Sequence, residues 1–224
     1  MKSILIIAIL SIINLSHGQT LKEQLAQKAN SGKGKPVTKE KKIMMRAAED
    51  LKKLHIEEKA LKKGEKLPEF FLGGKSINKL KGNKKLVLKF YRGGWCPYCM
   101  LELKEYQRLI KKFESSGAVL VFLAPDTNKE IAKTKKKFSL TMPIFQDKDN
   151  KIAEKLGLVF KLPKDLVEVY KGFNLDLANS QGNTDYRLPV PATYVIDEKG
   201  IVTYSFVDTD YRKRAEPTDV LKQL

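Results

Sequence analysis

The stretch FYRGGWCPYC, Phe90–Cys99, holds both cysteines of the 224-residue chain, three positions apart with Pro97 and Tyr98 between them. Upstream lies KLVLKFY, Lys85–Tyr91, a short apolar run bounded by turn signals that suits a buried strand. Downstream, MLELKEYQRLIKKFES (100–115) sets Leu101, Tyr106, Leu109, Ile110 and Phe113 at helical spacing, and Gly117 ends that helix before a second strand, AVLVFLAP. The cysteines therefore fall where a strand hands over to a helix. Pro97 fits the first helical position, where its missing N–H costs nothing.

That position has chemical consequences. Unpaired backbone amides and the positive end of the helix dipole stabilise a thiolate there, and Cys-X-X-Cys thiols in this setting have pKa values of roughly 3.5–7.5. Residues three apart on a helix are neighbours within reach of a disulfide, so one sulfur can attack and the other resolve, a complete two-electron cycle. A zinc site needs four ligands, which two cysteines and the distant His55 do not supply. A structural disulfide across so short a loop would hardly restrict the unfolded chain. Redox use of the pair is the expectation, with no metal.

Working outward, strands and helices alternate: a lysine-rich helix to Phe138, a strand in MPIFQ (142–146), a helix around NKIAEKLG (150–157), and an irregular stretch from Val159 to Arg187. A hairpin formed by ATYVIDEKGIVTYSFVD (192–208) and a helix introduced by Pro217 follow. The expected class is α/β, a central mixed sheet flanked by helices. Before Leu67, residues 19–63 read as a basic helical extension, with Ile43, Met44, Ala47, Leu51 and Leu54 forming one apolar stripe and NSGKGKPVT (30–38) acting as a joint.

Residues 1–18 have the layout of a secretory signal: Lys2, an apolar run from Ile4 to Ile13, and small residues at Ser16 and Gly18, with cleavage expected before Gln19. The run is too short to span a bilayer comfortably. An exported protein, periplasmic or extracellular and without stable membrane insertion, is expected; the alternative is retention of the segment as an anchor. His55 would then be the one histidine left, which argues against a His-dependent metal site or a Cys-His dyad. The formal charge of +17 is spread over lysine clusters interleaved with glutamates, so it reads as solvated helix faces and not as a nucleic-acid site.

GEKLPEF, FYRGGWCPYC, LPVPATYVID with KGIV, and DTDYRKRAEP together resemble the peroxiredoxin-like branch of the alkyl hydroperoxide reductase/thiol-specific antioxidant (AhpC/TSA) family. The resemblance covers residues 64–224 and implies a thioredoxin-like fold, no prosthetic cofactor, an external thioredoxin-type electron donor and a hydroperoxide substrate. Laid on the family's Pro-x-x-x-Thr-x-x-Cys pattern, the peroxide-attacking cysteine falls on Cys99, the threonine on Cys96 and the proline on Arg92. The family's arginine before its x-Thr-Phe strand falls on Pro191. A proline at that place beside a CxxC is what thioredoxins carry, in the cis form, against their disulfide.

Two readings of the pair follow. As a thiol peroxidase, Cys99 attacks peroxide and Cys96 condenses with the sulfenic acid to give the Cys96–Cys99 disulfide. As a thiol–disulfide oxidoreductase acting on a protein disulfide, Cys96, nearer solvent at the helix tip, attacks and Cys99 releases the mixed disulfide. A redox-inactive binding module is the third class. Arg92, Arg212 or Arg214 could replace the missing arginine, Trp95 and Tyr98 flank the sulfurs as shields or contacts, and Asp126 is expected to cap the helix after its strand.

Overall fold

The computed structural model describes residues 18–34 and 36–224, so the expected leader, Gly18 apart, lies outside the described residues. The chain begins with α1 (Leu21–Asn30), α2 (Lys39–Lys52) and α3 (Ile56–Lys59). A small hairpin of β1 (Phe71–Leu72) and β2 (Lys75–Ser76) then leads through α4 (Ile77–Lys81) to β3 (Leu86–Phe90).

The segment after the cysteines folds as α5 (Pro97–Arg108) and α6 (Ile110–Ser115), broken at Leu109, where one continuous helix was expected. It is followed by β4 (Val119–Ala124), α7 (Asn128–Phe138), β5 (Ile144–Gln146) and α8 (Lys151–Lys155). The stretch expected to be irregular is instead ordered into β6 (Val159–Lys161), α9 (Lys164–Gly172), α10 (Leu177–Gln181) and β7 (Arg187–Pro189). There α9 starts behind Pro163 and buries Leu166, Val167, Val169 and Tyr170, and β6 pairs antiparallel with β7. The hairpin β8 (Ala192–Ile196) and β9 (Val202–Val207) and the helix α11 (Pro217–Leu221) stand as the pattern predicts.

The central sheet has five strands in the order β5-β4-β3-β8-β9, with β5, β4 and β3 mutually parallel, β8 antiparallel to β3 and β9 antiparallel to β8. Both faces are covered, which is why β3 is buried at every position. Alternation sends Leu86, Leu88 and Phe90 to one face, with Val121, Leu123, Tyr194 and Ile196. Val87, Phe122 and Val195 go to the other, under Leu103, Tyr106 and Phe113 of α5 and α6. Lys89 shares the face of Val87, so the one charged residue of β3 points at α5.

The N-terminal helices pack onto this frame. Thr20 caps α1 in a capping box with Glu23, and the Leu21 and Lys22 amides each donate to the Glu216 carboxylate at 3.1 Å. α1 lies on α5 and α2 on α9, while Leu51 and Ile56 pack with Val190.

Candidate active site

β3 stops at Phe90, and the Tyr91 N–H still donates to the Leu123 carbonyl, so the strand delivers its last residues to a fixed place. Gly93 has φ +145°, and a Cβ there would lie 2.8 Å from Asp126 Oδ1, so only glycine fits. The Gly94 N–H donates to Asp126 Oδ2 at 2.7 Å, and Ser180 Oγ donates to Oδ1 at 2.5 Å. Asp126 therefore buckles the loop, and the helix cap expected of it is supplied by Thr127. Burial, only partly offset by Ser180 and Gly94, raises the Asp126 carboxyl to about 6.

Cys96 is the N-cap of α5 and Pro97 its first residue. Both sulfurs are free thiols, and both are buried, at 1% and 0% exposure, so Cys96 does not sit nearer solvent as expected. Burial pushes Cys96 up, but the hydrogen bond from Cys99, the Arg92 and Arg214 charges and the Cys99 backbone outweigh it and bring the thiol down to about 6. Cys99 moves the opposite way, since burial and its bond to Cys96 hold its proton well above the ordinary thiol range. The pair thus keeps one proton, with the negative charge on Cys96.

Beneath the sulfurs lies a buried chain of charges. Arg214 Nη2 reaches Cys99 Sγ at 3.6 Å, and Arg214 Nε donates to Glu102 Oε2 at 2.8 Å. Glu102 Oε1 in turn pairs with Lys89 Nζ at 2.7 Å, and all three side chains are at most 1% exposed. Burial lowers the Lys89 ammonium despite Glu102. Of the three arginines considered from sequence, Arg214 touches a sulfur, Arg92 is buried close enough to bias both, and the half-exposed Arg212 pairs with Asp210.

Arg92 donates to the Tyr170 hydroxyl at 2.7 Å and lies over the rings of Trp95 (4.9 Å) and Tyr211 (4.6 Å). Trp95 also packs on Tyr170, and Tyr98 meets the edge of Tyr211. Pro191 borders the same cavity as Arg92. Its peptide bond is trans, for no cis bond occurs among the described residues, so the thioredoxin-like cis form is not adopted. The Val190 N–H donates to the Leu158 carbonyl and keeps this segment running straight into β8.

Lys89, Glu102, Tyr170 and Tyr211 were not singled out from sequence. A lysine inside an apolar strand and a glutamate three residues after Cys99 were the available signals. Among the described residues no cluster of His, Cys, Asp or Glu is arranged to hold a metal ion.

Comparison with known proteins agrees with this frame. The putative peroxiredoxin Bcp of Helicobacter pylori strain J99 is 25% identical over 134 residues, 60% of this chain and 77% of that protein. Peroxiredoxin Bcp of Bacillus subtilis strain 168 is 30% identical over 114 residues, 49% of this chain and 71% of that protein. The crystal structure of peroxidoxin BcpB from Mycobacterium tuberculosis superposes with a TM-score of 0.55 at 20% identity, covering 73% of this chain and 96% of that one, which shows the shared thioredoxin-like fold. The AhpC/TSA family pattern matches residues 64–205, from before β1 into β9, and by that match the chain belongs to the AhpC/TSA family.

Proposed function

We propose that this thiol-dependent peroxidase reduces hydroperoxides with Cys99 as the attacking sulfur and Cys96 as the resolving one, and that a thioredoxin-type donor returns the pair to the dithiol. The observation that carries this reading is the Arg214 guanidinium 3.6 Å from Cys99 Sγ. It stands in for the family arginine that Pro191 replaces, and offers N–H donors where charge develops on the peroxide.

The singly protonated pair suits the chemistry. When the proton passes to Cys96, the Cys99 thiolate attacks the terminal peroxide oxygen and the O–O bond breaks. Sulfur is oxidised to the sulfenic acid, and the leaving alkoxide takes the proton from Cys96 to become an alcohol. The Cys96 thiolate then attacks Cys99 sulfur and expels hydroxide, which solvent protonates, and a disulfide remains. One hydroperoxide is reduced for each disulfide formed.

One observation favours a second reading. The resting charge lies on Cys96, which is what a thiol–disulfide oxidoreductase attacking through Cys96 requires. Single-cysteine variants separate the two. In Cys96→Ser, one equivalent of peroxide is expected to leave a sulfenic acid on Cys99 that a dimedone probe labels. Label on Cys96 in Cys99→Ser, with Cys96→Ser inert, would transfer the nucleophile's role to Cys96.

Export rests on the apolar run Ile4–Ile13 behind Lys2. Outside the cytoplasm the pair turns over only if a reductant is supplied there. Expression of the full chain followed by N-terminal sequencing of the product tests it, with Gln19 as the expected first residue.

A further inference from the structure

We infer that the cavity between α2 and α9 is a binding site for a long-chain monoanionic amphiphile, its carboxylate on Arg92 and its alkyl chain along the apolar walls. The cavity has a volume of about 330 Å³, within the size range of small-molecule sites, and neither sulfur lines it. Met44 and Leu51 of α2 form one wall, and Phe160, Leu162 and Leu166 the other. Its inner end is closed by Arg92, Tyr170 and Tyr211.

Arg92 indicates the charge of the ligand. It is 4% exposed, yet no carboxylate pairs with it among the described residues, and its one hydrogen bond is to the Tyr170 hydroxyl. Its Nε–H is buried without a partner. The other buried guanidinium, Arg214, is by contrast neutralised by Glu102. A buried cation without a carboxylate partner is costly, and the Cys96 thiolate charge nearby and two aromatic faces satisfy only part of its demand, leaving Nε–H without an acceptor. A carboxylate entering from the cavity would give Nε–H and its neighbouring N–H two parallel, charged acceptors. Asp50 and Lys161 also border the cavity, but Asp50 is exposed and paired with Lys53. The long apolar walls add a requirement for hydrocarbon that an inorganic anion does not meet.

Trp95 is the only tryptophan, and its ring lies 4.9 Å from the Arg92 guanidinium, so binding has a built-in fluorescence reporter. The full reduced chain is titrated with dodecanoate, dodecan-1-ol and dodecyltrimethylammonium. Saturable binding of dodecanoate at least about tenfold tighter than of the alcohol is expected, a ratio set by one charge-assisted contact, and none of the cation. Arg92→Gln should erase the preference for the carboxylate, and Ala47→Phe, which fills the cavity from α2, should weaken both ligands. Equal affinity for carboxylate and alcohol, absence of saturation, or indifference to Ala47→Phe would each overturn the inference. If Arg92→Gln does not fold, the ligand comparison and Ala47→Phe still decide. Because the readout is binding and not turnover, its outcome is independent of the peroxidase assignment.

Discussion

Arg214 holds its Nη2 3.6 Å from Cys99 Sγ while Glu102 fixes the same guanidinium through Nε at 2.8 Å. The donor is therefore aimed before any substrate arrives. Replacing Arg214 with Gln is expected to lower the rate constant for peroxide by about 10²–10³, the usual loss when one preorganised donor is removed. Stopped-flow oxidation of the dithiol measures it. A rate equal to wild type would deny Arg214 this role.

The Cys96 thiol, at about 6, predicts a pH profile. Thiolate absorbance of the reduced protein should rise with a midpoint near that value, well below an ordinary thiol. The sign for stability follows: a depressed acid pKa stabilises the reduced fold most above the unfolded thiol value, and the benefit disappears as pH falls through about 6. The reduced-minus-oxidised difference in thermal midpoint should therefore grow as pH rises from 6 toward 9, the ordinary value. A difference independent of pH would contradict it.

Glu102 serves two cations, and among the described residues each cation has only that carboxylate. Glu102→Gln should cost about 3–5 kcal/mol, the usual result of breaking a buried ion pair from one side. Lys89→Met should cost less, because Glu102 keeps Arg214 and the new side chain is apolar. Urea denaturation of both variants gives the order, and the reverse order would mean that Lys89 is the principal anchor.

Asp126 offers a contrast between charge and hydrogen bonding. Its carboxyl is raised from 3.8 to about 6, so its stabilising effect is complete below 3.8 and is lost as pH rises through about 6. Asp126→Asn cannot ionise and should flatten the stability profile across that interval. Asp126→Ala strands the Gly94 N–H and should cost about 1–3 kcal/mol at any pH. Thermal melts from pH 4 to 8 distinguish the two effects.

The order strand, CxxC, helix, strand was readable because each element announces itself through local periodicity, and the two sulfurs because their spacing is local too. The α9 helix carried the same signal in Leu166, Val167, Val169 and Tyr170, but flanking glycines, prolines and polar residues masked it. The charged surroundings were less legible for another reason. Lys89 and Glu102 each sit on a predictable face, of a strand and of a helix, yet their meeting depends on how α5 lies across the sheet. Arg92 was hardest to place, since an arginine is ordinarily a surface residue and the Tyr170 that holds it lies 78 positions away. The expected cis Pro191 rested on likeness to a different family. Here Val190 is tied to Leu158, and the straight entry into β8 needs no reversal.

Arg214 and Glu216 are two residues apart, the first at the sulfurs and the second gripping the amides of Leu21 and Lys22. One short piece of backbone is thus a lever with a load at each end. Oxidation removes the thiolate charge that acts on the Arg214 end beside that of Glu102, so the grip on α1 is expected to loosen in the disulfide form. Hydrogen exchange at the Leu21 and Lys22 amides, faster in the oxidised protein than in the reduced, would register that loosening far from the chemistry that causes it.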